Sequence, residues 1–184
     1  MENIKNRTDA NDSRIVPKQI TAAMIPQGDE SKTVKRRSKL LKEFYDWWFF
    51  EHPRRRVYNT ALGEDISVTY LSKHETCGQA ARRYKSALAV LKLDYILENA
   101  RPILSDPADK KTKAQKKFEK ILLMKCNCED LGIVKLTVGV YKDTSQKEQY
   151  CITVIEAETK DSFRKSKKHG FGNKKTNRRR KPVR

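Results

Sequence analysis

The sequence lacks any long hydrophobic run: no stretch of 18 apolar residues occurs in its 184 residues. We expect no membrane-spanning helix, because crossing a bilayer takes roughly 20 predominantly apolar residues. The opening residues, MENIKNRTDANDSR, hold no apolar stretch behind a basic region, so we expect no secretory signal either. These absences favour a cytoplasmic protein without a membrane partner.

Cysteine is scarce as well, and the chain has only Cys77, Cys126, Cys128 and Cys151. In a cytosolic chain these thiols stay reduced. The Cys126–Cys128 pair is a C-x-C rather than the C-x-x-C of a zinc knuckle, and no second pair lies nearby. Alternation along a strand would place both on one face. We interpret them as small buried thiols, and predict neither a metal site nor a cofactor. The chain also has no Walker-type loop, no H-E-x-x-H and no G-x-S-x-G.

Positive charge, in contrast, is abundant. The chain has 41 Lys and Arg against 23 Asp and Glu, a net charge of +18, and only 37% of its residues are hydrophobic. An apolar fraction this low predicts a modest folded core with polar extensions. Most of the excess lies in residues 160–184, where twelve basic residues face the single acidic residue Asp161. The stretch 60–159 is almost neutral, at +2.

The basic tail, residues 160–184, has too few apolar side chains to offset the entropy of ordering, so we expect it to be disordered alone. Such tracts bind phosphate backbones by releasing counterions. A solubilising tail and an anionic membrane surface are the alternatives. The predicted nucleic-acid contacts are Arg54, Arg55 and Arg56 in a patch before the main domain and, in the tail, Lys167, Lys168, Lys174, Lys175, Arg178, Arg179, Arg180 and Lys181.

The N-terminal half begins with a polar stretch, residues 1–38, which we interpret as a mostly disordered arm with a short helical turn at 18–24. An aromatic-rich helix is predicted at 38–51, capped by Ser38 and stopped by Pro53, and with the basic patch it makes up residues 39–56. Two interpretations of this helix stay open. It docks on the core, or Trp47 and Trp48 bind a protein partner or stack on bases.

Residues 57–159 are predicted to form one α+β domain. A strand at 63–71 should carry Ile66, Val68 and Tyr70 on one face. A capping box of Ser72 and Glu75 predicts a long helix that ends by Ala100. A loop at 105–117 and an antiparallel meander follow. The expected fold is one long helix packed on a small antiparallel sheet, with disordered basic arms at both ends; the meander strands are predicted at 118–126, 133–141 and 149–156.

Several short motifs follow the same order as in a known group of domains: a Gly-then-strand opening, a polar segment, a helix and three later strand motifs. They are Gly63 to Tyr70, Ser72 to Thr76, LDYILENA at 93–100, Phe118, VKLTV at 134–138 and YCIT at 150–153. In this order the chain resembles the barnase–EndoU–colicin–RelE-like nucleases found in large polyvalent proteins of phages and mobile elements. The resemblance covers roughly residues 60–158.

The resemblance implies metal-independent RNA cleavage, and it favours RNA over DNA as the partner. Such cleavage needs a general base for the 2′-OH, a cation for the charged phosphorane and a general acid for the leaving oxygen. We predict His74 as proton shuttle, Lys135 and Thr137 as cation and donor on one strand face, and Tyr150 on the neighbouring strand. The alternative is a non-catalytic adaptor or an architectural RNA- or DNA-binding protein, with His74 and Lys135 as ordinary exposed residues.

Overall fold

The computed structural model of the chain describes residues 16–155. Within them no helix is long and apolar enough to cross a membrane. Short 3₁₀ turns lie at Ala22–Met24 and Lys113–Gln115. The described helices and strands are α1 (Ser31–Glu51), β1 (Arg56–Asn59), β2 (Glu64–Ser67), α2 (Tyr70–Ala80), α3 (Tyr84–Val90), α4 (Leu93–Asn99), β3 (Arg101–Pro107), β4 (Phe118–Cys128), β5 (Gly132–Tyr141) and β6 (Lys147–Ile155).

The strands form one six-stranded sheet in the order β1-β2-β6-β5-β4-β3. The α+β class is confirmed, and β4, β5 and β6 are adjacent as the meander prediction requires. The sheet is mixed rather than antiparallel, because β2 pairs with β6 in parallel through Ile66–Lys147 and Ser67–Glu148. Strand β3 was not predicted. Each of its residues is exposed and it holds two prolines, so it carries no alternating pattern.

One face of the sheet builds the core with the helices. Alternate residues of β4, from Leu122 to Cys128, are buried there, as are Val134, Leu136 and Val138 of β5. The prediction that Cys126 and Cys128 share a face is confirmed, and both are buried thiols. The opposite face, called here the outer face, carries the other residues of the same strands, among them Lys125, Lys135, Thr137 and Gly139.

Helix α1 packs on the core by its aromatic side chains, so the docking interpretation is confirmed. Tyr45 and Trp48 have no exposed surface, and the indole Nε1 of Trp48 donates to Asp94 of α4 at 2.8 Å. The ring of His52 stacks on Trp48 with 4.3 Å between centroids. Trp48 is therefore part of the core, and a protein partner bound through Trp47, which is half-buried, stays a prediction.

Helix α1 begins at Ser31, seven residues before the predicted start, so the arm prediction is wrong for 31–38. The reason is Arg37, which is polar by sequence but fully buried. Its guanidinium donates to the carbonyls of Pro26 at 3.0 Å, Gly28 at 2.5 Å and Ala81 at 2.7 Å. A buried cation with this many acceptors joins the segment before α1 to the end of α2.

The single long helix predicted up to Ala100 is wrong, since α2, α3 and α4 are three short helices. Neither break contains glycine or proline. At the first break, the carbonyls of Ala81 and Arg82 accept from Arg37, at 2.7 and 3.3 Å, instead of from a continuing helix. Tertiary hydrogen bonds override helix propensity here.

The predicted capping box at Ser72 and Glu75 is displaced by one turn. Thr69 is the N-cap of α2 and Ser72 is its third residue, with the reciprocal bonds of a capping box between them. Tyr70 therefore begins a helix and is 64% exposed, so the prediction of a strand through Tyr70 is wrong. Strand β2 ends at Ser67, after two residue pairs with β6. The hydroxyls of Ser72 and Ser86 then bond the backbone of β6, at Gln149 O and Val154 N.

Candidate nucleic-acid interface

Three basic residues lie side by side across three strands of the outer face. The register pairs Arg101 of β3 with Lys125 of β4, and Lys125 with Lys135 of β5. Residues directly opposite each other in an antiparallel ladder point to the same face. We call Arg101, Lys125 and Lys135 the basic row. Since neighbouring strands lie about 4.8 Å apart, the three positions span about 10 Å.

The basic row has no acidic partner in the part of the chain that the structure describes. No ion pair there involves Arg101, Lys125 or Lys135, whereas Lys73, Lys92, Lys117 and Lys147 each pair with a carboxylate. Like charges directly opposite in a sheet are destabilising. We therefore expect the row to add no stability, and no carboxylate of the described residues neutralises its charge.

The basic row is bordered by uncharged side chains on both sides. On one side, Leu104, Leu123 and Thr137 are opposite one another on the same three strands. On the other side, Asn127 is opposite Ile133, and Ile133 is 44% exposed. A strip of cations between apolar surfaces can contact both the phosphates and the bases of a nucleic acid.

An open cavity of about 730 Å³, called here the cleft, lies beside the basic row. Arg101 and Lys125 of the row belong to its wall, so the two features are continuous. Tyr95 of α4 stands in the wall as well, and its side chain is 49% exposed overall with its hydroxyl donating to Asn127 O at 3.4 Å. The residues that line the cleft are Tyr95, Asn99, Arg101, Ile103, Lys125, Cys126, Asn127 and Ile133.

At the ends of β4 and β5 that lie away from the basic row, a lysine is paired with a buried carboxylate. The carboxylate of Glu148, fully buried, accepts from Thr69 Oγ1 at 2.6 Å, from Lys117 Nζ at 2.7 Å and from the hydroxyl of Tyr141. We call these four residues the Glu148 centre. It connects the N-cap of α2 to β5 and to the segment before β4.

The Glu148 centre keeps its lysine charged. Burial lowers the pKa of Lys117, but its hydrogen bonds with Glu148 and Tyr141 outweigh burial and raise the pKa above the usual value. For Tyr141, burial and the neighbouring carboxylate both raise the pKa. At neutral pH Lys117 therefore stays an ammonium ion and Tyr141 a neutral phenol, and the ammonium ion is paired with Glu148 inside the fold.

Three of the four predicted catalytic residues lie on the outer face. Lys135 and Thr137 are alternate residues of β5. The ring of Phe118, packed directly over Gly139 where a Cβ would lie 2.5 Å from it, meets the ring of Tyr150 edge to face at 6.2 Å. Burial raises the pKa of Tyr150; a bond with Gln115 opposes that shift and the carboxylate of Glu75 reinforces it. Tyr150 is thus a neutral hydrogen-bond donor, and its catalytic role stays a prediction.

His74, the predicted proton shuttle, is apart from these residues. It lies on α2 with its side chain 81% exposed and pairs only with Glu75, at 3.6 Å between Nδ1 and Oε1. Within residues 16–155 no hydrogen bond or ion pair joins it to Lys135, Thr137 or Tyr150. Glu75 is close enough to help raise the pKa of Tyr150, and the sequence analysis assigned it only to a helix cap.

The predicted basic patch is partly used inside the fold. The guanidinium of Arg55 lies 4.5 Å from the ring of Phe49 and 4.9 Å from that of Tyr70, so it is held in cation–π contacts. Arg54 and Arg56 are exposed. The tail contacts predicted at Lys167, Lys168, Lys174, Lys175, Arg178, Arg179, Arg180 and Lys181 lie outside the described residues.

The sequence analysis missed Tyr95, Arg101 and Lys125. Tyr95 falls within the predicted long helix, and Arg101 follows the predicted end of that helix at Ala100. Lys125 was read only as part of a strand. A partial signal existed, because strand alternation places Lys125 on the face of β4 that points away from the buried Cys126 and Met124. Whether Lys135, the single lysine of β5, lies beside it depends on the strand register.

Comparison with known proteins finds no matching family model, and no match among curated proteins or solved structures. The nuclease resemblance therefore stays a prediction, and the geometry of the outer face carries the functional argument.

Proposed function

We propose that this protein binds nucleic acid, with the phosphate backbone along the basic row of the outer face. The observation that carries the proposal is the row itself. Arg101, Lys125 and Lys135 are adjacent, lack acidic partners among the described residues and lie on a face that the helices leave open. Phosphate contacts by such cations release condensed counterions and favour binding without sequence preference.

The net charge of the chain supports the same partner. An excess of +18 raises the rate at which a polyanion meets the protein, and the basic tail adds to the field. The folded domain contributes a fixed arrangement of cations, the basic row. RNA is favoured over DNA only by the nuclease resemblance.

RNA cleavage is the second candidate, and the geometry around Tyr150 supports it. Lys135, Thr137 and Tyr150 share the outer face with the row that would hold the phosphates, and the carboxylate of Glu75 lies beside Tyr150. In this proposal Glu75 accepts the 2′-OH proton, Lys135 stabilises the phosphorane and Tyr150 protonates the leaving 5′-oxygen. His74 is the alternative proton acceptor.

The binding proposal is tested by neutralising the row in the full-length chain. The variant Arg101→Gln/Lys125→Gln/Lys135→Gln should bind labelled RNA at least tenfold more weakly than the native protein. Its affinity should also depend less on salt, with a slope lower by about 2, because each single-strand phosphate contact releases about 0.7 counterion. Fluorescence anisotropy at several salt concentrations measures both quantities.

The matched control removes the same charge elsewhere. Lys110→Gln/Lys111→Gln/Lys120→Gln changes three exposed lysines outside the row, so it reproduces the loss of net charge without touching the row. We expect this control to lose less than threefold in affinity. Equal losses in the two triple variants would show that charge alone, and not the row, governs binding.

The cleavage candidate is tested with labelled RNA in EDTA. Tyr150→Phe and Glu75→Gln should each slow product formation by about 10²- to 10⁴-fold, the usual share of a positioned acid or base. His74→Ala separates the two acceptors, since it leaves the rate unchanged if Glu75 is the base. Intact RNA after prolonged incubation with the native protein would exclude cleavage and leave the binding proposal standing.

A further inference from the structure

We propose that the cleft between α4 and the ends of β3, β4 and β5 holds one unpaired base of the bound strand, which makes the protein selective for single-stranded nucleic acid. This inference rests on the proposed binding of phosphates along the basic row. It adds the class of nucleic acid and the part of the strand that the cleft takes.

The cleft is continuous with the basic row. Arg101 and Lys125 belong both to the basic row and to the wall of the cleft. A phosphate held between them is attached through its sugar to a base, and that base lies within reach of the cleft. A volume of about 730 Å³ falls in the range of small-molecule sites, about 300–1,000 Å³.

The side chains that line the cleft suit a nucleobase. A nucleobase has two apolar faces and a polar edge. The cleft offers the exposed ring of Tyr95 together with Ile103 and Ile133, which are 49% and 44% exposed. In the part of the chain that the structure describes, the ring of Tyr95 has no aromatic neighbour, so a base can stack on it.

Two amides can meet the polar edge of the base. The side chain of Asn127 makes no hydrogen bond with any of residues 16–155, so its amide can bond a base. The Nδ2 of Asn99 donates to Tyr95 O at 2.9 Å, which leaves its carbonyl oxygen as an acceptor. A flat ring between a phenol and aliphatic side chains, with amides at its rim, is a common way in which proteins hold single-stranded bases.

The two cavities that Tyr95 lines differ in the charge of their walls. A second cavity, of about 510 Å³, also has Tyr95 in its wall, but its other lining residues include Glu129 and Asp130. Asp130 is paired with Lys92 at 2.5 Å, so the only lysine there is already neutralised. Phosphates are disfavoured on that side of Tyr95 and favoured on the side of the basic row, which directs the strand along the row.

The inference excludes a duplex from the cleft. In a double helix each base is stacked between its neighbours and paired at its edge, so no face is available to Tyr95 unless the base is rotated out. Extrusion from a duplex costs a few kcal/mol. A duplex can therefore use the basic row but not the cleft.

The experiment compares Tyr95→Leu and Tyr95→Phe in the full-length protein. Fluorescence anisotropy is measured with a labelled single-stranded RNA and with the blunt duplex of the same sequence. Tyr95→Leu keeps an apolar side chain but removes the stacking ring, so single-strand affinity should fall about tenfold while duplex affinity changes less than twofold. Tyr95→Phe keeps the ring and should bind both like the native protein.

A second readout reports stacking directly. An RNA with a single 2-aminopurine should lose fluorescence on binding the native protein and Tyr95→Phe, and lose less on binding Tyr95→Leu. Equal weakening of single strand and duplex by Tyr95→Leu, or no weakening of either, overturns the inference. The proposed function fails separately, when the triple variant of the basic row and its control lose the same affinity. Urea unfolding of each variant verifies that Tyr95→Leu is folded.

Discussion

Two groups of cations in the described part of the chain lie in opposite electrostatic settings. Arg37 and Lys117 are satisfied inside the fold, the first by backbone carbonyls and the second by Glu148 and Tyr141. The cations of the basic row have no such partners among the described residues. The first group is held by partners inside the fold, whereas we expect the second to add no stability, as the proposed role in binding requires.

Two lysines at β4 show the same difference in surroundings. Lys117 lies one residue before strand β4, and Lys125 lies within it. One sits over the rings of Phe118 and Tyr141, at 5.0 and 4.9 Å from their centroids, and beside a buried carboxylate. The other is exposed opposite Lys135. Substitutions that remove one charge at a time should therefore have opposite effects.

The largest expected effect is at Arg37. Arg37→Met should lower the free energy of unfolding by about 3–5 kcal/mol, because the carbonyls of Pro26, Gly28 and Ala81 lose a buried donor. Urea denaturation followed by circular dichroism measures the loss. Arg36→Met is the matched control, since the neighbouring side chain is exposed and should change stability by less than about 0.5 kcal/mol. Similar losses in both variants would contradict the division into two groups.

The next effect is at the Glu148 centre. Lys117→Met should lower stability by about 2 kcal/mol, less than the 3–5 kcal/mol of a fully buried pair. The discount has two reasons: the side chain of Lys117 is 36% exposed, and the hydroxyls of Thr69 and Tyr141 still donate to Glu148. The double variant Lys117→Met/Glu148→Gln should recover part of the loss, because it leaves no buried charge.

The same Lys→Met change at Lys125 of the basic row is compared with Lys117→Met. Lys125→Met removes the middle one of three adjacent like charges, so stability should stay the same or rise by up to about 0.5 kcal/mol. Its unfolding is measured beside that of Lys117→Met under identical conditions. A loss of 2 kcal/mol at Lys125 would show that the row has a structural role after all.

The smallest effect is the dependence on pH. The pKa of Lys117 is raised in the folded protein, so its contribution is fully present below the unfolded pKa, about 10.4. It is lost as the pH rises through the higher folded pKa, since the unfolded chain releases its proton first. The difference in unfolding free energy between the native protein and Lys117→Met should therefore narrow above about pH 10.4. Urea midpoints from pH 8 to 11 test this, and a difference that widens would contradict the assigned direction.

Sequence reasoning predicted the elements whose pattern is local. The runs rich in β-branched residues identified β5 and β6, the position before a turn indicated β4, and the aromatic run of α1 indicated a helix against the core. Patterns with tertiary causes were missed. Arg37 reads as part of a basic run, Lys35 to Arg37, and only the carbonyls that surround it show why the helix begins at Ser31. The helix breaks after Ala80 and Val90 have no local breaker residue.

The sequence by itself determined the strands of the meander, the face on which Cys126 and Cys128 lie, and the concentration of charge in the tail, because each follows from composition or from the twofold period of a strand. The basic row was decided by the tertiary structure. Gly132, at φ +83°, closes the turn that sets Lys125 opposite Lys135, and an irregularity between Pro102 and Leu104 sets Arg101 opposite Lys125. A shift of one residue in either pairing would send the cations to different faces, since strand side chains alternate, and no local pattern fixes that register.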